Sequence, residues 1–241
     1  MSASGGTDDP GVQAVATAAL ALVNDGARLG LGTGRAAIAF IHKLGARVRD
    51  GLRVTGVPTS DASEALAREL GIPIIELDET VELDMTVDGA DEVSPELDLV
   101  KGWGGALVRE RIVASASRRQ VILVGREKLV RTLGERGRIP IEVIPLARGP
   151  VIRQLRAIGL RPTVRSTDGK PQHTDNGNLT IDCALETPLA DGRAARALVA
   201  TLRTIAGVVD CGLFLGTAER ILVGAADGRV ETRVRQGGSD A

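Results

Sequence analysis

Aromatic residues are almost missing from this chain of 241 residues. It contains no tyrosine, and its aromatic side chains are Phe40, Trp103 and Phe214. Proteins that hold single-stranded nucleic acid stack its bases on several aromatic side chains. The chain is therefore predicted to have no nucleic-acid partner of this kind, and its core must be built from Val, Ile, Leu and Ala.

Cysteine and histidine are scarce as well, and neither sign of charge is in excess. Two cysteines, Cys183 and Cys211, and two histidines, His42 and His173, lie apart without metal-type spacing. The 30 basic and 31 acidic residues leave a net charge of −1, without a basic block that would favour nucleic acid or an anionic membrane. We therefore predict no metal and no cofactor, and two buried cysteines in a reducing compartment.

Long apolar runs are absent too. The most apolar stretch, residues 12–23, is too short to span a bilayer and ends at Asn24-Asp25-Gly26, which predicts a first helix. The first ten residues are small and acidic, with neither the basic nor the apolar region of a secretion signal. These features predict a cytoplasmic protein without a membrane partner.

The first half of the chain alternates β-type runs with helical stretches. Strands are predicted at 27–31, 52–57, 73–77, 83–87 and 120–124, and helices at 36–44, 61–70 and 105–117. This alternation is typical of a parallel sheet with helices on both faces. We predict an α/β fold with a doubly wound, mostly parallel sheet.

The pattern changes after residue 135. Strands are predicted at 139–144, 161–165, 170–173 and 179–184, and helices at 150–158 and 191–205. This order predicts a small α+β insert domain over 135–205, inside a Rossmann-like catalytic domain of residues 1–134 and 206–241. Residues 207–210 and 220–224 are expected to return to the main sheet, and 231–241 to be frayed.

The first chemical motif is the glycine-rich turn Gly30-Leu31-Gly32-Thr33-Gly34-Arg35-Ala36, after the first predicted strand. Glycines let backbone amides approach an anion, and the following helix N-terminus favours negative charge. A dinucleotide fingerprint needs its third small residue where Arg35 stands and an acidic residue after the second strand, so it is not met. A tight structural turn is the plain alternative.

The second motif, Asp88-Gly89-Ala90-Asp91-Glu92, also follows a predicted strand. Ligands of parallel sheets bind outside the carboxyl ends of the strands, so both motifs belong to the same edge. Two neighbouring carboxylates divide the roles of proton donor and acceptor, because proximity raises one pKa. An Asx turn with a capping role is the alternative.

The third motif runs from Lys101 through Gly102, Trp103 and Gly104 to Glu110. A lysine precedes a glycine-rich turn that opens a helix, and aliphatic residues surround Glu110 at helical spacing. A desolvated glutamate is suited to act as a general base. The alternative is a surface ion pair with Arg109 or Arg111.

Together these segments resemble the ribose-5-phosphate isomerase family of type A, from about residue 27 to 228. Further similarity lies in Val57-Pro58-Thr59-Ser60-Asp61-Ala62-Ser63, in Pro140-Ile141-Glu142-Val143-Ile144-Pro145 and in Thr174-Asp175-Asn176-Gly177-Asn178. The resemblance implies isomerisation of ribose 5-phosphate and ribulose 5-phosphate through an enediol(ate), without a metal, in the pentose phosphate pathway. It also implies a homodimer or homotetramer.

By the same resemblance, Glu110 would move the proton between C2 and C1, and Lys101 would stabilise the enediolate. Asp88 and Asp91 would bind sugar hydroxyls and assist ring opening or proton transfer between oxygens. The implied substrate- and phosphate-binding residues are Gly32, Thr33, Gly34, Arg35, Ala36, Gly89, Ala90, Gly102, Trp103, Gly104 and Lys128.

The chain departs from the family pattern on its phosphate side. Arg35-Ala36 stands where the family has two hydroxyl residues, Trp103 interrupts the glycine run, and no basic residue precedes Arg28. Arg35 is a candidate replacement, since its guanidinium binds phosphate bidentately. The alternatives are an isomerase of another phosphosugar and a non-catalytic sugar-phosphate-binding protein of the same fold. The intact Asp88, Asp91, Lys101 and Glu110 argue against the second.

Overall fold

The computed structural model describes residues 9–235, so most of the N-terminal stretch discussed above lies outside the described residues. The described chain forms two compact units. The first unit comprises residues 9–90, 109–128 and 217–235, and the second comprises 91–108 and 129–216. Over residues 9–235 we find no helix that combines the length and the apolar character needed to cross a membrane.

The described residues form six α-helices and fifteen strands. The helices are α1 (Pro10–Leu20), α2 (Arg35–Arg49), α3 (Asp61–Glu69), α4 (Leu107–Ser115), α5 (Arg148–Ala157) and α6 (Gly192–Arg203). The first seven strands are β1 (Ala27–Leu31), β2 (Val54–Pro58), β3 (Met85–Gly89), β4 (Glu92–Val93), β5 (Leu99–Val100), β6 (Gln120–Gly125) and β7 (Arg138–Val143). The others are β8 (Arg161–Val164), β9 (Ser166–Thr167), β10 (Lys170–Pro171), β11 (Leu179–Ala184), β12 (Val208–Cys211), β13 (Leu213–Phe214), β14 (Arg220–Gly224) and β15 (Val230–Val234).

The first unit is built on a six-stranded sheet in the order β15-β14-β6-β3-β1-β2. All neighbours are parallel except β15, which pairs antiparallel to β14. Such strands are buried on both faces and read as apolar runs, as β6 does with five of its six residues buried. The predicted α/β fold with a mostly parallel sheet is confirmed.

The strand order creates a switch point between β1 and β3. The chain passes from β1 outward to β2 and then returns to β3 on the other side of β1. Loops that leave the carboxyl ends of β1 and β3 therefore diverge and open a crevice, which is where parallel sheets bind ligands. The first two motifs begin with the last two residues of these strands and continue into the loops.

The second unit contains an antiparallel sheet in the order β12-β7-β11-β8. One apolar core contains alternate residues of two strands together with residues of the helices. These are Ile139, Ile141 and Val143 of β7, Ile181 and Cys183 of β11, and Val151, Leu155 and Leu202 of α5 and α6. Helices α5 and α6 therefore contribute to the core on one face of this sheet. Residues at the alternate positions, such as Arg138 and Asp182, belong to the opposite face.

Three predictions about strands need correction. Residues 207–210 do not join the main sheet, because β12 pairs with β7 in the second unit. Residues 73–77 form no strand, since they make only an isolated bridge, from Ile74 to Gly56. Residues 231–234 are not frayed, because β15 pairs along β14, whereas residues 236–241 lie outside the described part.

The second unit is also larger than the predicted insert of 135–205. Residues 91–108, 129–134 and 206–216 belong to it as well. The physical reason is strand pairing: β5 pairs with β13, and β12 pairs with β7. The third motif thus lies in the second unit as far as Val108, and Glu110 lies in the first.

Candidate active site

Asp88 is held at the switch point by backbone amides. Its Oδ1 accepts hydrogen bonds from the Thr33 amide at 3.0 Å and from the Gly89 amide at 2.7 Å, and the residue is 0% exposed. Gly32 is required here, because a Cβ at this position would overlap the Asp88 carboxylate. The structure therefore brings Thr33, Asp88 and Gly89 together, as the two motifs predict.

Four hydroxyl groups cluster beside this carboxylate. Thr33 Oγ1 lies 2.8 Å from Thr59 Oγ1, donates to Ser60 Oγ at 2.8 Å and lies 3.3 Å from Ser63 Oγ. Ser63 Oγ in turn donates to the Gly32 carbonyl at 2.7 Å. The cluster joins the loops after β1 and β2, and Ser60 also caps α3.

Thr59, Ser60 and Ser63 are part of the family resemblance but were not among the predicted site residues. The family pattern places hydroxyl donors after Thr33, where Arg35 and Ala36 stand in this chain. The usable signal was their position, because hydroxyl residues directly after β2 must share the edge of the sheet with those after β1.

The N-terminus of α2 follows the same loop. Gly34 is the N-cap residue with φ 99°, and it offers no side chain to cap the first amides. Arg35 is exposed at the first position of the helix, and Ala36 is half-buried. A helix of 15 residues with this kind of N-terminus presents amide donors and a partial positive charge to an anion.

Glu110 lies in the first turn of α4 and is only 5% exposed. Leu107 and Val113, one turn away on either side, are buried. The neighbouring Arg109 forms an ion pair with Asp61, with its Nη1 2.6 Å from the Asp61 carboxylate. The Glu110 side chain is therefore well shielded from water.

Lys101 is buried in the second unit. Its amide donates to the Gly212 carbonyl at 2.8 Å, and its side chain is 2% exposed with Nζ 5.7 Å from the centroid of the Phe214 ring. An aromatic face at this distance favours an ammonium. The next residue, Gly102, has φ +97°, and a Cβ there would lie 2.8 Å from the Leu107 side chain.

The segment after Lys101 is tied down by side chains. Asp91 Oδ2 accepts a hydrogen bond from the Trp103 amide at 2.9 Å. Arg165 Nη1 donates to the carbonyls of Gly102 and Trp103, both at 3.1 Å. The other nitrogens of Arg165 form a bidentate pair with Asp182, at 2.9 and 2.6 Å. Sequence reasoning missed Arg165 and Asp182, because nothing in the sequence links them to Gly102.

The remaining predicted residues lie near these groups in the chain. Lys128 is half-buried in a short 3-10 helix directly after β6, at the carboxyl end of a strand that pairs with β3. Ala90 is half-buried, and Gly104 is exposed. Glu92, the last residue of the second motif, accepts hydrogen bonds from the amides of Gly134 and Arg136 in the second unit. Burial raises the pKa of Glu92 despite these donors.

The cysteines are confirmed as buried and free. Burial raises the pKa of the Cys183 thiol to about 12, so the thiol is protonated near neutral pH and unreactive. Among residues 9–235 no group of three or more His, Cys, Asp or Glu side chains is placed to hold a metal ion.

The fold and this geometry define an α/β protein with a cluster of polar groups at the switch point of a parallel sheet. The chain belongs to the ribose 5-phosphate isomerase A (phosphoriboisomerase A) family, whose model matches residues 55–228. It is similar to the ribose-5-phosphate isomerase A of Roseiflexus sp. (strain RS-1), with 46% identity over 91% of this chain and 94% of that protein. The protein of the same name from Parvibaculum lavamentivorans is 43% identical, over 90% and 94%.

Solved structures show the same relationship. Ribose 5-phosphate isomerase A from Methanocaldococcus jannaschii has a TM-score of 0.86 and 40% identity, covering 95% of this chain and 99% of that chain. A D-ribose-5-phosphate isomerase in complex with phospho-erythronic acid has a TM-score of 0.87 and 36% identity, covering 93% and 97%.

Proposed function

We propose that this chain interconverts ribose 5-phosphate and ribulose 5-phosphate. The observation that carries this proposal is membership of the family, with 46% identity to a relative over 91% of this chain. The hydrogen bond that joins the Thr33 amide to Asp88 at the switch point supports it, because parallel sheets bind ligands at this place.

The reaction is an internal proton transfer. A base removes the proton from C2 of the open-chain aldose, and the C2–H electrons form the C1=C2 double bond of an enediolate while O1 gains charge. Return of a proton to C1, with transfer of the O2 proton to O1, gives the ketose. No atom is gained or lost, so a base, an acid and a cation suffice.

The proposed roles follow from burial and charge. Glu110, 5% exposed, is the base, which supplies about 10²–10⁴-fold in rate. Lys101 stabilises the enediolate oxygen. Asp88 and Asp91, each fixed by backbone amides, bind the sugar hydroxyls and assist ring opening and proton transfer between oxygens.

The phosphate is proposed to lie at the glycine-rich turn. The first amides of α2, the Thr33 hydroxyl and the amide-rich loop of Gly32, Gly34 and Ala36 favour an anion there. Arg35 and Lys128 add positive charge. Gly89, Ala90, Gly102, Trp103 and Gly104 are proposed to contact the substrate through their backbone.

The ligand of a relative supports this arrangement. Phospho-erythronic acid, bound by the D-ribose-5-phosphate isomerase compared above, carries a carboxylate and a phosphate. A carboxylate holds two oxygens and a negative charge in one plane, and a planar enediolate likewise holds O1, O2 and a negative charge in one plane. A site that binds such a molecule is complementary to the intermediate of the proposed reaction.

The family resemblance further supports a homodimer or homotetramer, a cytoplasmic location and a reaction without a metal or cofactor. Sedimentation equilibrium measures the oligomeric state, and chelation tests whether the reaction needs a metal.

The activity is tested with the wild-type protein dialysed against EDTA. Conversion of ribose 5-phosphate to ribulose 5-phosphate, followed by NMR, is expected to proceed at the rate seen without EDTA. Ribose without its phosphate is the matched control and should react at least tenfold more slowly, because the charge-assisted phosphate contacts are lost.

Other results would change the assignment. Faster conversion of arabinose 5-phosphate or another phosphosugar would make the chain an isomerase of that sugar. Binding without turnover would make it a phosphosugar-binding protein. Loss of activity with EDTA and recovery with a divalent ion would refute the metal-free reaction.

A further inference from the structure

The polar face of the second unit's four-stranded sheet holds a cavity of about 590 Å³. Its floor follows from strand register: Arg138 of β7, Ala184 of β11 and Arg161 of β8 are cross-strand partners in one row. Two arginines thus stand two strands apart on one face, about 10 Å between their Cα atoms, with only a methyl group between them. The small alanine leaves the space that the cavity occupies.

Trp103 forms one wall of this cavity and gathers further positive charge. The guanidinium carbon of Arg138 lies 4.8 Å from the centroid of the Trp103 ring, and that of Arg136 lies 5.7 Å from it. The indole Nε1 donates to the Arg138 carbonyl at 3.2 Å. The residue that interrupts the family's glycine run is therefore used to hold two arginines beside a third.

The charge of the lining is unbalanced. Three arginines line the cavity against one carboxylate, that of Asp182. Asp182 is already engaged in the bidentate pair with Arg165, in which both side chains are only 12% exposed. Arg138 approaches the same carboxylate no closer than 3.7 Å, and Arg161 donates to a carbonyl, that of Leu185, at 3.3 Å.

Arginines placed this close together repel one another. Strand pairing does not require them, because a neutral residue at position 138 or 161 would preserve it. The guanidinium fork matches phosphate oxygens and stacks on aromatic faces, which is how proteins recognise phosphate esters. Thr163, on the floor beside Asp182, adds a hydroxyl donor. The geometry therefore suits an anion with negative groups at two ends.

We propose that this cavity is a second anion site, which binds a small organic molecule bearing two phosphate groups or a diphosphate. Its lining shares no residue with the glycine-rich turn proposed for the phosphate, and it shares only Trp103 with the residues proposed to contact the substrate. The proposal does not depend on the isomerase activity. Inorganic pyrophosphate is the probe, because it carries the shared chemistry without a sugar or base.

The protein reports on this cavity directly, since Trp103 is its single tryptophan and tyrosine is absent. Pyrophosphate is titrated into wild-type protein with and without saturating phospho-erythronic acid, and Trp103 fluorescence is recorded together with the heat of binding. We expect a saturable fluorescence change whose midpoint phospho-erythronic acid leaves unaltered. Raising the salt concentration should weaken binding, since the contacts are ionic.

Arg161→Gln and Arg138→Gln should each weaken pyrophosphate binding about tenfold or more, the size of one charge-assisted hydrogen bond. Arg203→Gln, an exposed arginine at the end of α6 in the same unit, is the matched control and should bind as wild type. Circular dichroism checks that each variant is folded.

Three results would overturn the second site: no saturable signal by fluorescence or heat, displacement of pyrophosphate by phospho-erythronic acid, or unchanged affinity in both Arg161→Gln and Arg138→Gln. Failure of the isomerase assay, in contrast, would leave this titration unaffected.

Discussion

The two units fix their proposed site residues by different means. In the first unit, Asp88 is held by the amides of Thr33 and Gly89, so its position follows from the backbone of adjacent parallel strands. In the second unit, the segment after Lys101 is held by the side chain of Arg165, itself oriented by Asp182. A backbone-held group tolerates changes in surrounding side chains, whereas a side-chain clamp fails when one residue changes.

The difference also bears on what each unit contributes. The first unit holds the hydroxyl cluster, the α2 N-terminus and the shielded Glu110, which are proposed to serve anchoring and proton transfer. The second unit brings the buried Lys101, the group for charge stabilisation. Substitutions in the two units should therefore separate effects on KM, on kcat and on stability.

Glu110→Gln should show the largest effect. The amide keeps the shape of the side chain but cannot accept the C2 proton, so kcat should fall at least about 100-fold with KM and fold retained. Glu69→Gln, an exposed change at the end of α3, is the control and should behave as wild type. Retention of more than about a tenth of the wild-type rate would exclude Glu110 as the base.

Arg35→Ala tests the anchor of the first unit. Loss of one charge-assisted contact to phosphate should raise KM about 10- to 150-fold, more than Arg35→Lys does, with little change in Tm without ligand. Inorganic phosphate should protect the wild type against heat better than the variant. Arg47→Ala, at the other end of α2, is the control.

If KM and phosphate protection are both unaltered in Arg35→Ala, then Arg35 points to solvent and is no anchor. The phosphate would in that case rest on backbone amides, the hydroxyl cluster and Lys128.

Arg165→Lys tests the clamp of the second unit, with the smallest expected effect. Lysine keeps the charge beside Asp182, but a single ammonium cannot reproduce the fork that contacts both carboxylate oxygens and the two carbonyls. We expect kcat to fall about tenfold at nearly constant KM, by the loss of a hydrogen bond to a charged group. Arg203→Lys is the control. A fall in the Tm of Arg165→Lys without a fall in its kcat would show that Arg165 has only a structural role.

Much of the first unit follows from its sequence, because parallel strands buried on both faces read as short apolar runs. Strands β1 and β6 and the positions of both glycine- and aspartate-containing loops are predicted within a few residues. The partner of β12 is not predictable in this way. Its Val-Val-Asp-Cys pattern suits an edge strand of either sheet, and only its long-range register with β7 decides.

The site shows the same limit. Asp88 and Thr33 are predictable neighbours, because both follow strands of one sheet. Arg165 and Asp182 are 17 positions apart in sequence, and both lie more than 60 positions from Gly102. Only the folded second unit brings them to the segment that contains Lys101.

The most direct test of the central claim is the fate of the carbon-bound proton in D₂O. Wild-type protein, free of metal by chelation, is incubated with ribose 5-phosphate, and the ribulose 5-phosphate formed is examined by NMR. Transfer through an enediol(ate) by the Glu110 carboxylate predicts that solvent deuterium enters C1 of the product and C2 of recovered substrate. Deuterium incorporation by Glu110→Gln at the wild-type rate would contradict the account, because another group would then remove the carbon-bound proton.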